Sequence, residues 1–349
     1  MTEAAQPLVE IRGLRTYFED RHGLIARALR RTALPPVRAV DDVDLEVGRG
    51  EILGLVGESG SGKTTLGRTV LRLTPATSGS IRFDGEEITD VRRPAVRRLR
   101  RRMQMIFQDP HASLSPRLRV SYLLTEPYRI NNVPSEEQYS PDELLAMVEL
   151  SSELADKYPH ELSGGQARRV GIARALAMQP DFVVADEPTS GLDVSAAAAI
   201  LNLMKDLGER LGLTYLVITH NLSILDFLAD RVAVMYLGQI VEVGPTEVVL
   251  ASPAHPYTQA LLEAVSEPDP QLRRVDERLL VPGEIPSPRR PPAACRFHTR
   301  CPYADEVSRT VEPHLEEVVP GHLAACHHWR EIHANASERA NRVLTSPSK

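Results

Sequence analysis

The residues with the clearest chemical content form the string Gly57-Glu58-Ser59-Gly60-Ser61-Gly62-Lys63-Thr64. It fits the spacing G-x-x-x-x-G-K-[ST], in which glycines let successive backbone N–H groups turn inward around an anion. A helix opening at the lysine adds its positive end. Such a nest suits phosphate, with Lys63 reaching the outer phosphates and the Thr64 hydroxyl holding Mg²⁺. By residue usage alone the string arises in roughly one chain in a hundred of this length, so it needs companions. Val183-Val184-Ala185-Asp186-Glu187 is a candidate companion: an apolar strand ending in two carboxylates. Asp186 suits contact with Mg²⁺, and Glu187 suits polarisation of an attacking water. An acidic pair after a strand is more often a cap or surface turn, a reading that falls behind beside an intact phosphate loop. Leu162-Ser163-Gly164-Gly165-Gln166 is rarer, expected by chance in about one chain in a few thousand. It heads the helical stretch GGQARRVGIARALAMQ and forms a second nest, suggesting a second phosphate contact.

These strings need rigid elements behind them. EILGLVG (51–57), DFVVADE (181–187) and TYLVITH (214–220) are apolar runs of the kind that a parallel strand buried on both faces requires. LVEIRGL (8–14) and VRAVDDVDLEV (37–47) read as strands, and SIRFDGEEI (80–88) as a hairpin turning at Asp84-Gly85. PDELLAMVELSSELADK (141–157) has helical spacing after Ser140-Pro141, and SAAAAILNLMKDLGERLG (195–212) reads as a helix ending at Gly212. The basic stretch 22–36 reads as a solvated loop, with a short amphipathic helix as the other reading. The run Arg92–Arg102 holds seven arginines and reads as a solvated helix face before a strand. Strands alternating with helices predict an α/β class with a parallel sheet covered on both faces. After Val265, prolines crowd at 282, 286, 288, 291 and 292, which places a boundary near 266 and a small loop-rich domain beyond it.

In order and at their separations, GESGSGKT, FQDP, LSGGQ, ADEPTSGLD and ITH resemble the ATPase subunit of ABC transporters over residues 8–265. The resemblance implies a P-loop NTPase cassette in residues 1–265: a RecA-like parallel core, an antiparallel β subdomain, and a helical signature subdomain at about 109–165. It implies an ATP-binding set of Phe18, Gly57, Glu58, Ser59, Gly60, Ser61, Gly62, Lys63, Thr64 and Thr65, with Tyr17 as the other aromatic candidate for adenine. Mg²⁺ would be held by Thr64, Gln108 and Asp186. Glu187, His220, Lys63 and Gln108 would serve catalysis, His220 as the switch that contacts the γ-phosphate. Leu162, Ser163, Gly164, Gly165 and Gln166 would cap ATP on the opposite subunit, and Asp193 would communicate across the dimer. Each position also has a plain reading alone: Gln108 as a surface glutamine, His220 as a hydrogen-bonded strand end, and Asp193 as a helix cap.

MQMIFQDPHASLSPR (103–117), SPAHPYTQALLEAV (252–265), CRFHTRCPYA (295–304) and GHLAACHH (321–328) further resemble the oligopeptide/dipeptide import group, making 266–349 its C-terminal extension. That implies an ATP-hydrolysing subunit powering peptide import, in a group whose members also carry nickel, glutathione or oligosaccharides. The implied partners are a second ATPase subunit, related or identical, two transmembrane permease subunits and an extracytoplasmic binding protein. The remote alternative is a soluble ABC ATPase of translation or repair; a single cassette without a long coiled coil argues for transport. In parts of this group four cysteines are able to hold a [4Fe–4S] cluster. Here Cys295, Cys301 and Cys326 are present and Ser308 stands where the other is expected. Either a hydroxyl or a histidine such as His298 or His327 completes the set, or the thiols are small buried hydrophobes.

The 349-residue composition, 42% hydrophobic and 25% charged, is that of a globular protein. No run of about 18 apolar residues offers a membrane span, and the N-terminus lacks a signal pattern. Three late cysteines make no disulfide framework, so the expectation is a protein at the cytoplasmic face of the membrane. A net charge of −6, and no aromatic platform within the arginine run, argue against nucleic acid.

Overall fold

The computed structural model describes residues 6–19, 34–91, 93–264 and 283–335; the loop-or-helix reading of 22–33 lies outside them. The strands are β1 (Val9–Phe18), β2 (Val37–Val47), β3 (Ile52–Val56), β4 (Ser78–Phe83), β5 (Glu86–Glu87), β6 (Met103–Ile106), β7 (Phe182–Asp186), β8 (Thr214–Thr219), β9 (Arg231–Tyr236), β10 (Gln239–Pro245), β11 (Glu316–Val319) and β12 (His322–Ala324). They form a four-stranded antiparallel sheet, β2-β1-β4-β5, and an eight-stranded sheet, β11-β12-β10-β9-β3-β8-β7-β6. In the larger sheet β6, β7, β8, β3 and β9 run parallel, and β10, β12 and β11 continue it antiparallel.

The unbroken apolar runs have a simple cause: every residue of β3, β7 and β8 is buried, and successive side chains face opposite sides of the sheet. Val183 and Ala185 enter a core with the helices Val120–Asn131, Pro141–Met147, Gly164–Leu176 and Val194–Leu211. Phe182 and Val184 enter a second core containing Leu66 and Val70 of the helix Lys63–Val70, together with the inner face of the antiparallel sheet, such as Val9, Ile11 and Leu14. The result is a parallel core beside an antiparallel sheet and a helical layer, as the resemblance implies, with the C-terminal strands β11 and β12 added along the edge at β10.

Two elements differ from the sequence expectation. The helix proposed over 141–157 stops at Met147, because Glu149 takes φ +57° and Ser151 caps a separate tight turn, Ser152–Asp156. Serine hydroxyls compete locally with helix continuation, which the apolar spacing does not register. The hairpin β9–β10 goes beyond the expected strands; its tight turn, Leu237-Gly238, carries positive φ at both residues. The turn Asp84-Gly85 and the stop at Gly212 occur as expected, each with positive φ.

Candidate nucleotide site

The parallel strands end at one edge. Ile106 of β6 lies opposite Ala185, Asp186 of β7 opposite Ile218, and Thr219 of β8 opposite Val56 of β3. The segments leaving these strands therefore emerge together, at the carboxyl end of the sheet where α/β folds bind ligands. They carry Gln108, Glu187, His220 and the loop that starts at Gly57.

That loop is wedged between two backbones. A Cβ at Gly57 would lie 2.2 Å from the Met235 carbonyl oxygen, and one at Gly62 would lie 2.0 Å from that of Ala39. Gly62 also holds φ +111° as it opens the helix Lys63–Val70, so both positions require glycine. Lys63 is buried, and its Nζ donates to Gly57 O at 2.7 Å, Glu58 O at 2.9 Å and Ser61 Oγ at 3.4 Å. Burial lowers its pKa, against the opposing pull of Glu187, Asp186 and Glu58. Thr64 Oγ1 donates to Asp186 Oδ1 at 3.0 Å. Asp186 is buried, which raises its carboxyl above the usual range, with the Thr64 bond acting the other way. A desolvated carboxylate beside a hydroxyl is an oxygen pair suited to Mg²⁺, and these residues fit that ion. Ser59 and Gly60 form the exposed rim of the loop, and Thr65 lies in the first helical turn.

Glu187 adopts φ +49°, its N–H donates to Ile218 O at 2.8 Å, and its Oε1 lies 2.7 Å from His220 Nδ1. The His220 side chain is exposed and that of Glu187 mostly covered. Two of the four expected catalytic groups, Glu187 and His220, thus form a pair. Gln108 is exposed and, among the described residues, makes no hydrogen bond to Thr64 or Asp186. Phe18 is exposed at the end of β1. Tyr17 is engaged, its hydroxyl donating to Asp41 and Arg38 lying 5.9 Å from its ring centroid.

Leu162 anchors its segment in the core, while Ser163 starts the helix Gly164–Leu176 with a reciprocal cap: its Oγ accepts from Gln166 N at 3.3 Å and its N–H donates to Gln166 Oε1 at 3.0 Å. Gly164 is exposed and Gly165 half-buried, so the first-turn amides lie at the surface. Asp193 caps the helix Val194–Leu211, accepting from Ala196 N at 2.8 Å.

Several residues here were invisible to sequence reasoning. Arg168, 1% exposed, donates to Phe107 O at 2.8 Å and Ser190 O at 3.1 Å. It joins the segment after β6 to the one after β7, a link that nothing in its local sequence signals. Glu58, of the expected ATP-binding set, has partners that its place in the sequence does not signal. Its N–H donates to Tyr257 Oη at 2.7 Å and its carboxylate receives two bonds from Arg300, at 2.9 and 3.1 Å. It anchors the loop to the rest of the protein.

The cysteine segment does not fit an iron–sulfur cluster. Among the described residues, no group of three or more His, Cys, Asp or Glu is arranged to hold a metal ion. Ser308 Oγ is committed to Asp305, bonding its Oδ1 at 2.7 Å and its carbonyl at 3.1 Å. His298 Nδ1 lies 2.8 Å from Cys295 O, and His327 Nε2 lies 3.0 Å from Val311 O. Burial pushes the Cys301 thiol up to about 11 and that of Cys326 up to about 12.

The ABC transporter family matches residues 40–190, and the oligopeptide/dipeptide transporter C-terminal region matches residues 241–307. A Brucella ovis protein, provisionally named a peptide import ATP-binding protein, is 47% identical over 328 residues, 93% of this chain and 98% of that one. The chain belongs to the ABC transporter ATPases of the oligopeptide/dipeptide type. A Bacillus subtilis relative, the oligopeptide transport ATP-binding protein AppF, is 44% identical over 94% of this chain and 99% of its own. Among solved structures, CbiO1 from Clostridium perfringens, part of the transporter complex CbiONQ, superposes with a TM-score of 0.59 at 28% identity, over 70% of this chain and 91% of that one. The cassette MJ0796, solved as a dimer with ADP and phosphate, gives 0.59 at 27%, over 68% and 98%. As an ABC ATPase, this chain hydrolyses ATP.

Proposed function

We propose that this ATPase powers import of peptides through a membrane transporter. The observation that carries the reading is the match of residues 241–307 to the oligopeptide/dipeptide transporter C-terminal region; relatives named for peptide or oligopeptide transport support it. Among the described residues no helix is long and apolar enough to cross a membrane. The chain then works at the cytoplasmic face of the membrane, bound to two permease subunits, with a second ATPase subunit and an extracytoplasmic binding protein completing the system. We assign the cassette to residues 1–265, with its helical subdomain at about 109–165, and the extension to 266–349. The cysteines of that extension serve as packing residues: Cys295 lies in the core and Cys301 packs against it.

In this reading two cassettes close over two ATP molecules. The Gly57–Thr64 loop and Lys63 bind the phosphates, and Phe18 offers its ring to adenine. Leu162 through Gln166 present the amides of Gly164 and Gly165 to ATP held by the facing subunit. Val194, which follows the cap residue Asp193, is 87% exposed, an apolar surface suited to that interface. Thr64, Asp186 and Gln108 hold Mg²⁺, which when bound offsets charge on the phosphate oxygens. Glu187 orients the attacking water, and its carboxylate is aimed by His220. Closure on ATP and opening after hydrolysis give the two states that drive the permease.

Glu187→Gln in the assembled transporter is expected to lower turnover by at least a hundredfold while ATP still binds. Appreciable hydrolysis in that variant would remove Glu187 from the role. For the cargo, uptake of labelled oligopeptides into vesicles carrying the transporter and its binding protein should depend on ATP; uptake of nickel or oligosaccharide instead would sink the peptide reading.

A further inference from the structure

Glu58, the second residue of the phosphate loop, is held at each of its polar groups. Its carbonyl accepts from Lys63 Nζ at 2.9 Å and from Ser61 N at 3.2 Å, inside the loop. Its N–H goes to Tyr257, 199 residues downstream, and its carboxylate to both terminal nitrogens of Arg300, 242 residues downstream. Neither of these distant partners is an accidental surface contact. Arg300 is 8% exposed, and its guanidinium lies 5.8 Å from the ring centroid of Tyr236 and 5.9 Å from that of Phe297. Tyr257 packs against the same two rings, at 4.7 and 5.6 Å.

The Tyr257 segment is fixed from behind as well. Buried Glu242 accepts from Ala254 N at 2.7 Å and His255 N at 3.0 Å, and pairs with buried His322 Nε2 at 2.7 Å. His322 belongs to β12, so the C-terminal extension reaches the loop twice: directly through Arg300, and through Glu242 and Tyr257. Both routes end on Glu58, whose carbonyl is one of the acceptors that sets where the Lys63 ammonium rests.

We propose that Arg300 and Tyr257 are positioning residues for nucleotide binding, through which the C-terminal extension holds the phosphate loop in its anion-binding shape. The proposal rests on the reading that the Gly57–Thr64 loop binds the phosphates of ATP. A loop held in shape before ATP arrives leaves little ordering for the nucleotide to supply, and a released loop draws that ordering from binding energy. The effect therefore falls on KM for ATP and not on the chemical step. A bidentate arginine–carboxylate pair fixes direction as well as distance, so lysine is a poor substitute at this position.

The test is ATPase activity against ATP concentration in the assembled transporter, for Arg300→Met, Arg300→Lys, Tyr257→Phe and Glu58→Gln, with the Glu58→Gln/Arg300→Met double variant. Arg300→Met should raise KM about tenfold and Tyr257→Phe about threefold, with kcat changed less than threefold. Arg300→Lys should fall between wild type and Arg300→Met, and the double variant should be no worse than its worse single member. KM within twofold of wild type in Arg300→Met and Tyr257→Phe, or additive effects in the double variant, overturns the proposal. So does a fall in kcat alone, the mark of a smaller folded fraction. If Arg300→Met fails to assemble, Tyr257→Phe, which loses one hydroxyl and keeps its ring, decides by the same KM criterion. Lys63→Ala separates the two levels: if it leaves ATP binding intact, the phosphate-loop reading itself fails, whereas loss of binding there with no KM effect at Arg300 refutes only the clamp.

Discussion

Glu187 sits in a conformation that residues with a side chain seldom adopt. At φ +49° it turns the chain sharply off the end of β7, and its carboxylate meets His220 while its N–H stays bound to β8. Such a backbone costs on the order of 1–3 kcal/mol and persists where surrounding bonds overdetermine it. Asp186 and Glu187 were legible because a short apolar strand ending in two acids has few rival uses beside a phosphate loop. Arg300, Tyr257 and Arg168 were not, since what gives them meaning is a partner 242, 199 or 61 residues away. His255 belongs with this second kind. Its Nδ1 accepts from Tyr257 N at 3.0 Å and its backbone N–H is held by Glu242, so it is built in neutral, and burial brings its pKa down from 6.5 to about 3. Between those values the unfolded chain takes up a proton that the folded protein excludes. The stability tied to His255 is therefore full above pH 6.5 and is lost as pH falls towards 3, at up to about 1.4 kcal/mol per pH unit. His255→Gln should flatten the fall of thermal midpoint between pH 6.5 and 4.5; an unchanged slope would count against this assignment.

At the scale of elements, one small device, a reciprocal cap headed by serine, has different consequences in the two helices that it opens. Ser140 and Glu143 close a reciprocal cap on Pro141–Met147, as Ser163 and Gln166 do on Gly164–Leu176. Replacing either serine by alanine should cost about 1 kcal/mol of stability. Only Ser163→Ala should also depress ATPase turnover, because only that cap shapes amides proposed to meet the facing ATP; equal activity losses in the two variants would contradict this. The element map was readable where period and terminators agreed, as at Asp84-Gly85 and Gly212. It failed where a local hydroxyl overruled the period, as at Ser151. It also fell short at β9–β10, whose turn is two residues long within an apolar sequence. The helix Arg93–Arg102 behaves as its composition suggested: Arg102 pairs with Asp84 and Asp181, and Arg101 with Glu137, all at the surface.

At the scale of the whole molecule, the place of the C-terminal strands in the sheet was not legible, because β11 and β12 are four and three residues long and β12 pairs with a strand some 80 residues back. β12 bonds to β10 at Glu242 and Val243, and β11 covers β12 in turn. An open sheet edge is a template for adding a foreign strand. Cutting the chain after residue 264 would bare β10, whose middle is Ile240-Val241-Glu242-Val243, and would strip Glu242 of its His322 partner. The shortened protein is expected to aggregate at concentrations where the full chain stays monodisperse by light scattering; a soluble, ATP-binding fragment would show the edge to be safe without its cover. In the full chain the sheet ends instead at β11, a four-residue strand opening with exposed Glu316 and Glu317. Seen this way the extension is also a hem: it finishes a hydrophobic border in short, charged thread that a neighbouring chain cannot easily pick up.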